Sequence, residues 1–156
     1  MAEQYRIPRQ NIIIDSDGVG GGLADELPGC YAFVNGSTPI QEFDDDPKYR
    51  TQETKKFSYR NLRSQCYFRM AETINTGKVG CYADVDPEVK AWIIEELEAI
   101  RRTDVDNNES KLAIIPKDEI KEIIGRSPDF SDAMMMRFVK DCGQASIENF
   151  EVSVTW

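Results

Sequence analysis

Histidine is absent from the 156-residue sequence. That removes His-based triads, imidazole general bases and imidazole metal ligands together, so any metal must be held by oxygen or thiolate. The four cysteines, Cys30, Cys66, Cys81 and Cys142, form no C-x-x-C pair and match no zinc-ribbon spacing. They read as reduced core thiols. No apolar stretch approaches the roughly 18 residues of a membrane span. The first residues, Met-Ala-Glu-Gln-Tyr-Arg, show no apolar secretory core. No Walker motif and no internal repeat is present. What remains is a chain with 40% hydrophobic and 30% charged residues, the composition of a globular protein of one domain or two small ones.

The net charge of −9 argues by itself against a nucleic-acid partner. Its distribution argues otherwise. Between Lys48 and Arg69 lie seven basic residues (Lys48, Arg50, Lys55, Lys56, Arg60, Arg63, Arg69) against the single acid Glu53, leaving the rest of the chain at −15. Tyr49, Phe57, Tyr59, Tyr67 and Phe68 are interleaved among them. Such a strip suits a phosphate backbone, with repulsion elsewhere limiting non-specific adhesion. It is equally compatible with a solvated loop and one charged helix face.

Hydrophobic patterning predicts an α/β fold with a short, mostly parallel sheet flanked by helices. Residues 1–10 read as an N-terminal arm, 11–142 as the domain and 143–156 as a tail. The β-branched run Ile12-Ile13-Ile14 is a buried strand ending in the turn cluster Asp15-Ser16-Asp17-Gly18. Val19, Leu23 and Leu27 mark a short helix closed by Pro28-Gly29, and Tyr31 to Val34 a second strand parallel to the first. Residues 41–57 are polar and read as a mobile loop. A helix is predicted over 59–76, with Leu62, Cys66, Met70 and Ile74 inward. Asp86-Pro87 opens another, with Val89, Ile93, Leu97 and Ile100 as its buried stripe. Leu112 to Ile115 is a third strand. Pro116 to Ile124 is a helix stopped by Gly125. The last long helix begins at Ser127-Pro128-Asp129, with Phe130, Ala133, Met134 and Phe138 on one face.

Three clusters can carry chemistry. Asp15 and Asp17 lie at the C-terminal end of a parallel strand, where open α/β sheets bind ligands. Carboxylates there suit Mg²⁺ or Mn²⁺. The glycines that follow fit neither a dinucleotide fingerprint, whose third glycine falls on Leu23, nor a P-loop. Asp129 and Asp132 share a face at a helix start, which the helix dipole alone would favour. Lys117 and Lys121 are one turn apart and can face a phosphate, or simply pair with neighbouring acids. Carboxylates on a strand end and a helix start are the usual supply of a phosphodiester site with one or two divalent ions.

These residues resemble a known family. Ile12-Ile13-Ile14-Asp15-Ser16-Asp17-Gly18-Val19-Gly20 is similar to the V-V-D-S-x-G-x-G turn of the large terminase subunit of tailed phages. Lys117 to Asp132 is similar to that family's K-x-x-x-K-x-x-x-G-x-S-P-D-x-x-D-A ending, and Tyr59 to Arg63 and Ile74 to Gly77 resemble its N-x-R helix and closing turn. The resemblance runs from about residue 11 to residue 140. It implies the ribonuclease-H-like nuclease domain, which cuts concatemeric double-stranded DNA by in-line attack of metal-activated water during packaging. Carried over by position, Asp15 and Asp129 are the catalytic acids. Asp132 is the alternative to Asp129, and Asp17 is a second candidate ligand, so that Asp15, Asp17, Asp129 and Asp132 would hold Mg²⁺ or Mn²⁺. Lys48, Arg50, Lys55, Lys56, Arg60, Arg63, Lys117 and Lys121 would contact DNA.

The implied partners are a terminase ATPase domain, a small subunit and a portal, in the cytoplasm of a bacterial host and without a membrane. The family's first nuclease strand, with its aspartate, should precede Ile12, where only about eleven residues stand. Two expectations follow. The chain alone should cleave weakly or serve as a DNA-binding or assembly remnant, and the bare edge of the Ile12–Ile14 strand should favour self-association.

Overall fold

The computed structural model describes residues 4–17, 20–41, 59–80, 84–103 and 111–142. Most of the loop expected over 41–57, Cys81 and the tail 143–156 lie outside them.

A 3₁₀ turn at Arg9–Asn11 leads into β1 (Ile13–Asp15), α1 (Gly20–Glu26) and β2 (Tyr31–Phe33). β1 and β2 are parallel, with Ile13 opposite Tyr31 and Asp15 opposite Phe33. The βαβ unit therefore forms as its sequence pattern predicts, and Asp15 is the last residue of β1 rather than the first of the turn. The stripe assigned to α1 does not pack as expected, because Leu23 is 50% exposed. The helix is two turns long and lies close to the strands it connects.

Asn61 opens α2 (Leu62–Asn75) by accepting a hydrogen bond from the Ser64 N–H, so the helix starts three residues later than its pattern suggested. Leu62, Cys66 and Met70 are buried, whereas Ile74 is exposed in the last turn. α3 (Pro87–Ala99) has the expected Asp86 cap and Pro87 start. Its fully buried residues, however, are Glu96 and Ala99; the expected stripe Val89, Ile93, Leu97 and Ile100 is half-buried, with Leu97 and Ile100 packed against the core. The chain then turns into β3 (Arg102–Thr103), which pairs antiparallel with β4 (Ala113–Ile114). Among the described residues the strands thus form one parallel and one antiparallel pair. α4 (Lys117–Ile124) ends at Gly125, whose φ of 73° is the left-handed closure that favours glycine.

α5 (Asp129–Arg137) presents Ser131, Asp132 and Met135 inward, with Val139 following in a 3₁₀ turn (Phe138–Lys140). This face is rotated from the apolar one expected of Phe130, Ala133, Met134 and Phe138. α5 packs against both α2 and β1, and Phe33, Cys66, Tyr67, Met70, Ile114, Met135 and Val139 close the main core between them. The Cys66 and Cys142 sulfurs lie 3.8 Å apart in that core as free thiols. The Cys142 hydrogen bond, then burial, pushes the Cys66 thiol far above its ordinary range, which keeps it protonated and inert.

Candidate active site

The site begins where the two parallel strands end. Asp15 Oδ1 accepts the Asp17 N–H at 3.1 Å, folding the turn back over the strand tip. Asn35, two residues past β2, donates its backbone N–H (2.8 Å) and its side-chain amide (2.6 Å) to Asp17 Oδ2. The same amide lies 3.5 Å from Asp15 Oδ1. Asp15 Oδ2 has no partner among the described residues, and neither Asp15 nor Asp17 has an ion pair there. Asn35 also accepts the Arg63 N–H at its carbonyl (3.2 Å), which seats the start of α2 on the strand tips.

The Arg63 side chain runs inward from that seat. It donates to the Ile115 carbonyl (3.1 Å), lies over the Tyr67 ring at 5.0 Å, and brings Nη2 to 3.6 Å from Asp132 Oδ1. Asp132 is only 5% exposed. Its Oδ1 accepts the Tyr67 hydroxyl at 2.8 Å, and its Oδ2 is 2.6 Å from Lys117 Nζ. That last contact is an ion pair without hydrogen-bond direction, so Asp132 Oδ2 remains a buried acceptor without a hydrogen bond, as Arg63 Nε and Nη2 remain donors without one. The strand tip is thus connected to α5 through Asn35 and Arg63, with a negative end at Asp15 and Asp17 and a positive surround at Asp132.

Arg63 is a correction to the sequence reading. Expected on an exposed strip, it is only 6% exposed and lies beside Asp132 as a buried counter-ion. Residue spacing could not separate it from Arg60, which is exposed just before the Asn61 cap of α2. Lys117 points to Asp132, and Lys121 is exposed and pairs with Asp118 at 3.3 Å. Lys48, Arg50, Lys55 and Lys56 lie outside the described residues. Asp129 is exposed at the first residue of α5 and takes no hydrogen bond or ion pair among the described residues, so this network does not include it. Sequence reasoning missed Asn35 and Ser131, and counted Tyr67 only among the aromatics of the basic strip.

Among the described residues no three Asp, Glu or Cys side chains gather as a metal-binding group. The carboxylates come as the Asp15–Asp17 pair and the single buried Asp132. Mg²⁺ commonly binds through one or two carboxylates, waters and substrate phosphate. Asp15 Oδ2, without a partner among the described residues, and Asp132 Oδ2, ion-paired with Lys117, are hard oxygen donors of the kind such an ion takes.

Burial first, then the adjacent Asp132 charge, pushes the Tyr67 phenol well above its ordinary range. A raised folded-state value stabilises the fold at all pH below the unfolded phenol's, about 10, and that contribution is lost as pH rises toward the folded value. Stability should therefore fall above about pH 10. Tyr67→Phe should flatten that alkaline limb in pH-dependent urea melts and cost about 1–3 kcal/mol at neutral pH, since Asp132 loses its donor.

No family model matches the chain, and no curated protein matches it. Solved structures do. The nuclease domain of the large terminase subunit gp2 of bacterial virus Sf6 superposes with a TM-score of 0.52 and 28% identity, over 80% of this chain and 63% of that one. The chain is a relative of the phage large-terminase nuclease domain. A lysine-to-alanine variant of the same Sf6 domain, solved with manganese and β-thujaplicinol, matches at 27% identity and the same TM-score of 0.52. That variant solved with calcium matches at 28%. The chain spans about 63% of the Sf6 nuclease domain it matches. The α/β arrangement is accordingly the ribonuclease-H-like class expected from the terminase resemblance. Among the described residues no helix is long and apolar enough to cross a membrane.

Proposed function

We propose that the chain supplies the C-terminal part of a terminase nuclease domain and takes part in metal-dependent cleavage of concatemeric double-stranded DNA during phage packaging. The observation that carries this reading is the connection of Asp15, at the tip of β1, to buried Asp132 through Asn35 and Arg63. The Sf6 relative's structures with manganese and calcium support a divalent ion, and Mg²⁺ or Mn²⁺ suits these oxygen donors.

Asp15 and Asp132 would hold the ion, with Asp17 turned aside by Asn35 and Asp129 outside the site. A bound divalent ion would polarise the scissile phosphate and lower the pKa of attacking water. Asn35 orients the Asp15 carboxylate. Tyr67 fixes one oxygen of Asp132, and Lys117 pairs with the other, which the ion would take. Arg63 and Lys117 offset the Asp132 charge until anionic DNA and the cation arrive. The strip from Lys48 to Arg60, with Lys121, would follow the duplex. A terminase ATPase domain, small subunit and portal in the host cytoplasm are the partners this reading implies.

Plasmid nicking with Mn²⁺ tests it. The parent should nick, Asp15→Asn and Asp132→Asn should lose at least about a hundredfold, and Asp129→Asn should retain activity. Loss in Asp129→Asn with retention in Asp132→Asn would reverse the assignment. Neutralising Lys55, Lys56 and Arg60 together should weaken DNA binding across sequences and flatten its salt dependence. An unchanged slope would remove the strip from the interface.

One observation favours a second reading, a binding or assembly module. Ile12 and Ser16 make the backbone bonds to β2, so Ile13 and Asp15 turn theirs to the outer edge of β1, where no described strand pairs. An open edge accepts a strand from another chain. Salt-sensitive DNA binding without nicking, together with concentration-dependent sedimentation, would support it. A monomer at all concentrations would count against self-association.

A further inference from the structure

Glu96 is wholly buried (0% exposed), yet it lies on α3, away from the strand-tip aspartates. Its two oxygens have different partners. Oε1 pairs with the Arg126 guanidinium, and Oε2 accepts the Ser131 N–H at 2.7 Å. Arg126 is itself fixed by the Trp92 carbonyl (3.1 Å), Glu95 (2.9 Å) and the Trp92 ring, 5.6 Å away. α5 has proline at its N-cap and no side-chain cap of its own. A carboxylate from a different helix therefore supplies the cap that Pro128 cannot. The capped residue, Ser131, brings its hydroxyl to 3.1 Å from the Tyr67 hydroxyl, which donates to Asp132, the next residue along α5.

From this chain of contacts we infer that Glu96 is a positioning residue for Asp132: by capping α5 at Ser131 it sets the rotation that aims Asp132 at Tyr67, Lys117 and the candidate ion. The inference deepens the nuclease reading and rests on it for the role of Asp132. Hydrogen-bond geometry separates it from simple charge neutralisation. Gln at this position keeps an acceptor for Ser131, whereas Asp keeps the charge for Arg126 but is one methylene too short to reach the amide.

The test uses the full chain with Glu96→Gln, Glu96→Asp and Asp132→Asn. Folding is checked by circular dichroism. Asp132 is read through the Tyr67 Cζ and Lys117 Nζ resonances, and Mn²⁺ affinity by electron paramagnetic resonance. Glu96→Asp should move both resonances toward their positions in Asp132→Asn and weaken Mn²⁺ binding about tenfold or more. Glu96→Gln should retain the parental resonances and bind Mn²⁺ within about twofold of the parent, because an acceptor for Ser131 persists. Folded Glu96→Asp with parental resonances, or folded Glu96→Gln with resonances like those of Asp132→Asn, overturns the inference. If the resonances follow the expected pattern while neither parent nor variants bind Mn²⁺, the metal-site reading fails and the positioning of Asp132 by Glu96 stands.

Discussion

Asp132→Ala should cost about 3–5 kcal/mol of folding stability, among the largest losses of any single substitution in the chain. The carboxylate is buried between Lys117 and Arg63 and accepts from Tyr67. Removing it leaves an almost fully buried guanidinium facing a second cation, and Arg63 already has two nitrogens without hydrogen bonds. Breaking a buried pair in this way costs far more than the pair itself contributes, because desolvation of the surviving charge is no longer offset. Asp129→Ala, three residues earlier on the exposed side of the same helix, should change stability by no more than about 0.5 kcal/mol. Urea melts of the two variants measure the difference. Equal, small losses would mean that Asp132 is not the counter-ion of Arg63 in solution.

That asymmetry also explains how much of the site could be read from the sequence. The β1 tip, the α3 cap and the α4 stop were legible because they depend on local chemistry. Asp86-Pro87 opens α3, Gly125 closes α4 and Ile12 to Asp15 leads to a strand tip for the reasons their residue types suggest. The inward faces of α3 and α5 were legible only in part, since Leu97, Ile100, Met134 and Phe138 pack against the core but do not occupy its fully buried positions. Hydrophobic periodicity assumes that polar residues face water. Here Glu96, Ser131, Asp132 and Arg63 face inward and satisfy one another across helices that are distant in sequence. The apolar residues Val89, Ile93, Phe130 and Met134 are left half-covered at the margins. On α3 and α5 a stripe count therefore misses the fully buried positions, which the buried ionic network occupies. The same inversion placed Arg63 on the surface strip, since a basic residue within a basic run gives no local sign of burial.

Lys117→Ala should tighten Mn²⁺ binding about tenfold or more while lowering stability by about 1–2 kcal/mol, two opposite effects with one cause. The ammonium lies 2.6 Å from Asp132 Oδ2 and is itself about a third exposed, so it is a counter-ion that water can partly replace. A dication approaching that oxygen is repelled by it. At the effective dielectric of a partly wet site, unit charges a few ångströms apart interact by a few kcal/mol, and solvent filling the vacated space leaves about half of that. Removal of the repulsion should appear as affinity, and loss of the ion pair as stability. Calorimetric titration with Mn²⁺ beside a urea melt reads both on one sample. Lys117→Met would separate charge from stem packing, because it keeps the aliphatic chain and should match alanine in affinity while recovering part of the stability. Mn²⁺ binding that weakens in both variants would instead make the lysine an organiser of Asp132, and the positive surround of that carboxylate would then be an element that assembles the site.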